Sequence, residues 1–136
     1  MSDRVFLDTN IWLYLYSQDD LEKRSAVEAL VGSSDKIFIS TQVLNELANV
    51  LIRKKGVSVA SVRQAVGEIM NVVSLHVVTF DVVQRALNVV ENSKYSYYDS
   101  LIIASALESS CSVLYSEDLH NKHVVEKRLE ILNPFK

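Results

Sequence analysis

Asp8 and Asn10 stand two residues apart between two apolar runs, Val5-Phe6-Leu7 and the stretch from Ile11 to Tyr16. An acid and an amide are costly to place where a buried strand gives way to a helix, because they must find partners there. Open parallel sheets bind their ligands at the carboxyl ends of strands, so an Asp at that junction is a candidate site residue. Three further acidic positions fall at comparable places. Glu46 lies between Leu44 and Leu47, one turn into a helix that follows a strand. Asp99 opens the helix expected over 97–107, directly before the apolar run Leu101-Ile102-Ile103-Ala104. Ser116-Glu117-Asp118 follows the strand expected over 112–115.

Carboxylates gathered in one cleft cannot all stay ionised unaided. Two unit charges ~4 Å apart repel by about 4 kcal/mol at an effective dielectric of ~20. Either some take up protons or a divalent cation settles among them. Oxygen-only ligands favour Mg²⁺ or Mn²⁺ over zinc. Such an ion keeps waters, can acidify one of them and can neutralise charge on phosphate oxygens, which is the chemistry of phosphodiester hydrolysis. Each acid also has a plainer use. Asp99 suits a capping box with Ser96, Asp118 suits a turn, and Glu46 suits a solvated helix face. Their matching places in the topology favour the joint reading.

The elements that must position these acids follow from periodicity. Short apolar strands are expected over Arg4–Leu7, 36–39, 75–78 and 112–115, with a fifth over Leu129–Leu132. Between them lie helical segments. The stretch from Ile11 to Tyr16 begins a helix that is apolar nearly all round. Asp19 or Asp20 caps the next, which runs to about Val31, and Gly32-Ser33-Ser34-Asp35 reads as a turn. Ser40 or Thr41 caps a helix with Val43, Leu44, Leu47 and Leu51 on its apolar face, closed by Arg53-Lys54-Lys55-Gly56. Segment 58–73 is amphipathic, and Val83, Ala86, Leu87 and Val90 mark another helix. Strands alternating with helices predict an α/β fold, a parallel sheet of four to five strands covered on both faces. Right-handed crossovers bring the strands' carboxyl ends to one edge. Asp8 and the 116–118 turn then share that edge, with Glu46 and Asp99 leaning over it.

Composition narrows the class. A chain of 136 residues, 49% of them hydrophobic, is expected to form one domain over 1–136. Three Gly and one Pro argue against a loop-rich sandwich. The lone Cys111 excludes an intramolecular disulfide or a cysteine metal cluster, and it reads as core packing. The N-terminus does not read as a signal peptide and no span reaches transmembrane length, so a cytoplasmic protein without a membrane partner is expected. A net charge of -3 argues against a broad nucleic-acid-coating surface, though not against a basic rim around an acidic pocket.

The motifs carry a family resemblance. Val5-Phe6-Leu7-Asp8-Thr9-Asn10 resembles the opening of PIN-domain ribonucleases. Ser40-Thr41-Gln42-Val43-Leu44-Asn45-Glu46-Leu47 resembles their second motif, the segment from Tyr97 to Leu107 their third, and Leu114-Tyr115-Ser116-Glu117-Asp118-Leu119 their fourth. The match spans nearly the whole chain in order, and its length is similar to that of the toxins of VapBC-type toxin–antitoxin pairs. The resemblance implies a PIN-like three-layer α/β/α fold and a Mg²⁺- or Mn²⁺-dependent endoribonuclease, often homodimeric, with a small cognate antitoxin covering the site. It carries Asp8, Glu46 and Asp99 over as metal-site carboxylates. The fourth acid falls on Asp118, with Glu117 a close rival. Asn10 and Ser116 are similar to supporting residues. A metal-activated water, not a histidine base or covalent nucleophile, is the attacking group so implied.

Other residues invite weaker readings. His120 and His123 have ligand-like spacing but no third partner, and a solvated loop pair is the plainer account. Tyr95, Tyr97 and Tyr98 suit either base stacking or packing. Arg53-Lys54-Lys55 suits RNA phosphates or a helix C-terminus. Ile11, Trp12, Leu15 and Tyr16 suit the core or a partner groove. Two rival functions stand beside the nuclease. A haloacid-dehalogenase-type phosphotransferase would use Asp8 as nucleophile, but it wants a second acid where this chain has Asn10. A silent PIN-like interaction module would not need all four acids.

Overall fold

The computed structural model describes residues 3–136. Six strands form one sheet: β1 (Arg4–Leu7), β2 (Lys36–Ser40), β3 (Ser74–His76), β4 (Val113–Tyr115), β5 (Val124–Val125) and β6 (Leu129–Leu132). Helices separate them: α1 (Thr9–Leu13), α2 (Leu21–Ser33), α3 (Thr41–Arg53), α4 (Val59–Met70), α5 (Phe80–Asn92) and α6 (Tyr97–Glu108), with a 3₁₀ turn at Tyr14–Tyr16. The sheet order is β3-β2-β1-β4-β6-β5. Every pairing is parallel except that of β5 with β6. The fold is thus the expected α/β arrangement with helices flanking a mostly parallel sheet, but with six strands instead of four to five.

The extra strand is β5, two residues long and antiparallel. It pairs Val125 with Leu129 across a tight turn. Glu126 and Lys127 in that turn both have positive φ, 53° and 57°, without being glycine. No glycine therefore flags the hairpin in the sequence, and two residues carry no periodicity. β3 starts one residue earlier than expected and is exposed along much of its length, because it is the sheet edge. Its apolar residues alone did not reveal that position.

The central strands carry the core. Phe6 and Leu7 of β1, Ile39 of β2, Leu114 of β4 and Ile131 of β6 are fully buried. Ile11 and Trp12 of α1 join them, as do Val43 and Leu47 of α3. These buried helix residues fall at spacings of one and four, so each helix docks one side and leaves the other for polar residues. α6 differs: Ser100 through Leu107 are all buried, so it is enclosed. Cys111 is buried in the same core, and burial pushes its thiol up to about 12, which keeps it inert at neutral pH.

The helices start where side chains can cap them. Asp20 accepts from the Lys23 amide, Ser40 from Val43, Ser58 from Ser61, Thr79 from Val82 and Ser96 from Asp99. Each satisfies an amide left free in a first helical turn. α2 runs on to Ser33, so Gly32 and Ser33 belong to the helix and not to the expected turn.

The left-handed pair at the β5–β6 turn gives a stability prediction. Glu126 is held by Arg85, whereas the Lys127 side chain makes no ion pair among the described residues. Lys127→Gly removes the Cβ penalty at φ 57° and is expected to stabilise by about 0.5–1 kcal/mol. Equilibrium denaturation checks it, and a loss of stability would contradict this account of the turn.

Candidate metal centre

The chain order leaves a crevice between β1 and β4. From β1 the chain winds outward to β2 and β3, then returns to lay β4 on the other side of β1. Ligands of open parallel sheets bind at such a reversal, beyond the strand ends. Asp8 follows β1 and Ser116 follows β4 at this point. The Asp8 amide donates to the Tyr115 carbonyl at 2.9 Å, which carries the ladder one residue past the strands and sets the two turns side by side.

Asp8 ends up buried, 8% exposed. Its Oδ1 accepts from the Thr9 amide at 2.7 Å and so caps α1. Its Oδ2 accepts from the Ser116 hydroxyl at 2.9 Å. Ser116 is fully buried, and its Oγ also accepts from the amides of Asp118 and Leu119 at 3.3 and 3.4 Å. One hydroxyl thereby fixes the carboxylate and folds the following turn. Burial raises Asp8 from 3.8 to about 6. The bonds from Ser116 and Thr9 oppose the rise, and repulsion from Glu46 and Asp99 adds to it.

The other acids arrive from separate elements. Glu46 projects from the second turn of α3, where Thr9 Oγ1 donates to its Oε1 at 2.5 Å and Gln42 Nε2 to its Oε2 at 3.3 Å. Asp99 stands in the first turn of α6. Ser96 Oγ accepts from the Asp99 amide at 3.2 Å, but the return bond of a full capping box is not made among the described residues. The Asp99 carboxylate thus remains free for the cleft. Asn10 Nδ2 donates to Asp118 Oδ2 at 2.9 Å, and Asn10 Oδ1 accepts from the Glu117 amide at 3.4 Å.

A cleft of about 350 Å³ is lined by Asp8, Asn10, Glu46, Asp99 and Asp118 together with Thr9, Leu13 and Val50. The four expected acids share it. The two supporting residues bond to them, Asn10 from the lining and Ser116 from beneath. Glu117 points elsewhere: it pairs with Lys23 and accepts from Tyr14 Oη at 2.5 Å. Burial alone would raise its pKa, but the bonds from Lys23 and Tyr14 outweigh that and hold it low. Of the two rivals, Asp118 is the one that lines the cleft.

The donor set suits a hard divalent cation, being four carboxylates with no sulfur or imidazole in the lining. Among the described residues, no three His, Cys, Asp or Glu groups are drawn together tightly enough to grip an ion directly. His120 and His123 lie outside the lining. Their rings are 6.4 Å apart and both pack on Tyr95, whose hydroxyl bonds His123 Nδ1 at 2.8 Å.

Sequence reasoning assigned nothing to Thr9, Gln42, Tyr14 or Lys23. Thr9 lay between two residues that were singled out, and a hydroxyl at a helix start was its only signal. Lys23 meets Glu117 across 94 positions, which no spacing rule detects.

The family model of the PIN domain matches residues 5–127, and the chain belongs to the PIN-domain family. No match was found among curated proteins. Several solved structures share the fold. The chain is similar to VapC20 of Mycobacterium tuberculosis, described as a sarcin-ricin loop cleaving toxin, at 24% identity and a TM-score of 0.69 over 84% of this chain and 89% of that one. It is similar to a toxin–antitoxin complex from Klebsiella pneumoniae at 18% identity and a TM-score of 0.71, covering 96% and 97% of the two chains. It is also similar to VapBC-1 of nontypeable Haemophilus influenzae at 16% identity and a TM-score of 0.68, over 98% and 99%.

The buried Asp8 makes a prediction that needs no activity. Its folded pKa lies above its unfolded value, so folding favours the protonated form. That contribution is whole below about pH 4 and is lost as the pH rises through about 6. In chelator at pH 7.5, Asp8→Asn is expected to be more stable than wild type by about 1–3 kcal/mol. This is ~2 units at about 1.4 kcal/mol each, less a weakened hydrogen bond to Ser116. The gap should shrink towards pH 4. Denaturation at three pH values tests this, and a variant less stable than wild type at pH 7.5 would sink it.

Proposed function

We propose that this chain is a Mg²⁺- or Mn²⁺-dependent endoribonuclease and the toxin of a toxin–antitoxin pair. The observation that carries the reading is the set of four acids from four elements lining one cleft, with Asp8 buried among them against its own charge. Burial is the larger cost to that charge and repulsion from Glu46 and Asp99 the smaller, and a divalent ion would offset both. Asp8, Glu46, Asp99 and Asp118 would hold it. When bound, such an ion supplies charge neutralisation and lowers the pKa of a water. Asn10 and Ser116 act by aiming Asp118 and Asp8, and Thr9 does the same for Glu46. No Lys or Arg lines the cleft, so its carboxylates alone would turn a phosphate away. Family membership supports a nuclease over the phosphotransferase, and Asn10 is already engaged with Asp118.

The toxin reading draws on the similar solved structures, of which one is a toxin and one a toxin–antitoxin complex. It carries with it a small antitoxin that covers the cleft, a homodimer, one domain over the whole chain and a cytoplasmic location. No helix among the described residues is long and apolar enough to cross a membrane.

Purified protein is expected to cut a structured RNA in Mg²⁺ or Mn²⁺ and to stop in chelator. Asp8→Asn should abolish cutting while the fold persists. Sequencing of RNA ends after expression of wild type against Asp99→Asn identifies the cut. Cleavage surviving both chelation and Asp8→Asn would overturn the metal-carboxylate reading.

A second prediction separates the neighbouring acids. Asp118→Asn is expected to lower kcat by about 100-fold or more, as loss of a group acting on developing charge does. Glu117→Gln should spare most of kcat, because Asn10 still holds Asp118 at the cleft. The opposite ranking in a single-turnover assay would make Glu117 the fourth acid.

A further inference from the structure

A second hollow of about 440 Å³ adjoins the acidic cleft, and Glu46 lines both. Its apolar surface comes from Val78 and Leu101. Tyr98, 67% exposed, forms one wall. Thr41, Gln42 and Asn45 supply polar atoms from the first turns of α3. No Lys or Arg lines it, and Glu46 repels anions, so the hollow does not suit a phosphate. Ligand sites of this size pair an apolar floor with a few oriented polar groups.

Gln42 holds the telling detail. Its Nε2 donates to the Tyr98 carbonyl at 3.2 Å and to Glu46 Oε2 at 3.3 Å, both long bonds. Its Oε1 is closed off from water with no donor. A buried acceptor without a donor is costly, and a ligand N–H relieves it once the amide turns toward the hollow. Asn45, exposed beside it, offers both a donor and an acceptor.

We infer that this hollow receives a nucleobase of the RNA strand, next to the phosphate at the acidic cleft. The base stacks on Tyr98 and presents its N–H edge to Gln42 and Asn45. The inference rests on the nuclease reading for its substrate class. An aromatic face takes any base, and amide side chains then discriminate among their edges. Because the two hollows meet at Glu46, neighbouring nucleotides of one strand can occupy both.

The test uses full-length ¹⁵N-labelled protein in chelator, titrated with each of the four uncharged ribonucleosides, since the metal-free carboxylates repel a phosphate. The Gln42 and Asn45 side-chain amides and the Tyr98 backbone amide are expected to shift. Tyr98→Ala should weaken binding about 10-fold, while Tyr98→Phe retains it. Asn45→Ala should alter the rank order of the four nucleosides. With Mg²⁺ and RNA, Tyr98→Ala should raise KM about 10-fold at an unchanged kcat. The titration needs neither metal nor cleavage, so the two readings fail separately. Shifts from nucleosides in a protein that cuts no RNA would leave the base site standing and remove the nuclease. Cleaved RNA with no shift from any of the four nucleosides, or with a KM indifferent to Tyr98→Ala, overturns the base site.

Discussion

The contact between the Asp8 carboxylate and the Ser116 hydroxyl is the constraint on which the cleft depends. It sits where the strand order reverses, between the ends of β1 and β4, and both residues are buried. A buried carboxylate needs donors close by, and Ser116 provides one while its Oγ accepts two amides from the next turn. If Ser116 were replaced by Ala, Asp8 would lose a donor and the amides of Asp118 and Leu119 would lose their acceptor together. Strand pairing, the α1 cap and the 116–119 turn are thus coupled through one hydroxyl. The sheet brings the parts to one edge, and this contact converts proximity into fixed geometry.

The same turn assigns two adjacent acids to different surroundings. Glu117 meets Lys23 and Tyr14, with Lys23 also set over the rings of Tyr14 and Phe135. Asp118 turns to Asn10 and the cleft. Lys23 and Glu117 are both partly exposed, so the pair adds little stability by itself. Its consequence is directional. With Glu117 tethered to α2, the backbone of the turn is committed, and the next carboxylate faces the cleft. Asn10 reinforces this by bonding the Glu117 amide with one end of its side chain and the Asp118 carboxylate with the other.

The parallel sheet and the four acids were legible because local rules govern them. Phe6, Leu7, Ile39 and Leu114 lie in short apolar runs that only buried strands explain, and crossover handedness then places the strand ends together. Strand β5 was not legible. It exists only by pairing with β6, and its turn uses Glu126 and Lys127 where a glycine would have been the cue. The edge position of β3 was equally hidden, since Leu75 is as apolar as a central residue yet 40% exposed. Within the site, the sequence put Asp118 ahead of Glu117 only by its place after Ser116; the contact that turns Glu117 away depends on Lys23, remote in the chain. Thr9 and Gln42 escaped for a related reason. Hydroxyls and amides are common at helix starts, and only their partners across the fold give them a task.

The donors that hold the acids explain why the cleft stays electronegative. Thr9, Asn10, Ser116 and Gln42 are all neutral. Neutral donors orient a carboxylate and lower its pKa somewhat, but they leave its charge in place. A lysine or arginine at any of these positions would cancel one charge permanently and drive Asp8 down the scale. Instead the basic partner in this region, Lys23, is paired with the acid that faces away. Burial holds Asp8 near 6, opposed by its neutral donors and helped by repulsion from Glu46 and Asp99. Such an arrangement is unfavourable for a protein that needs only to fold, since apolar or paired residues would stabilise the same strand ends better. It is favourable for one that must accept a cation, because a buried carboxylate is stabilised when positive charge enters. Neutral donors around charged acids are therefore the feature of this cleft that most favours ion binding over a purely structural role.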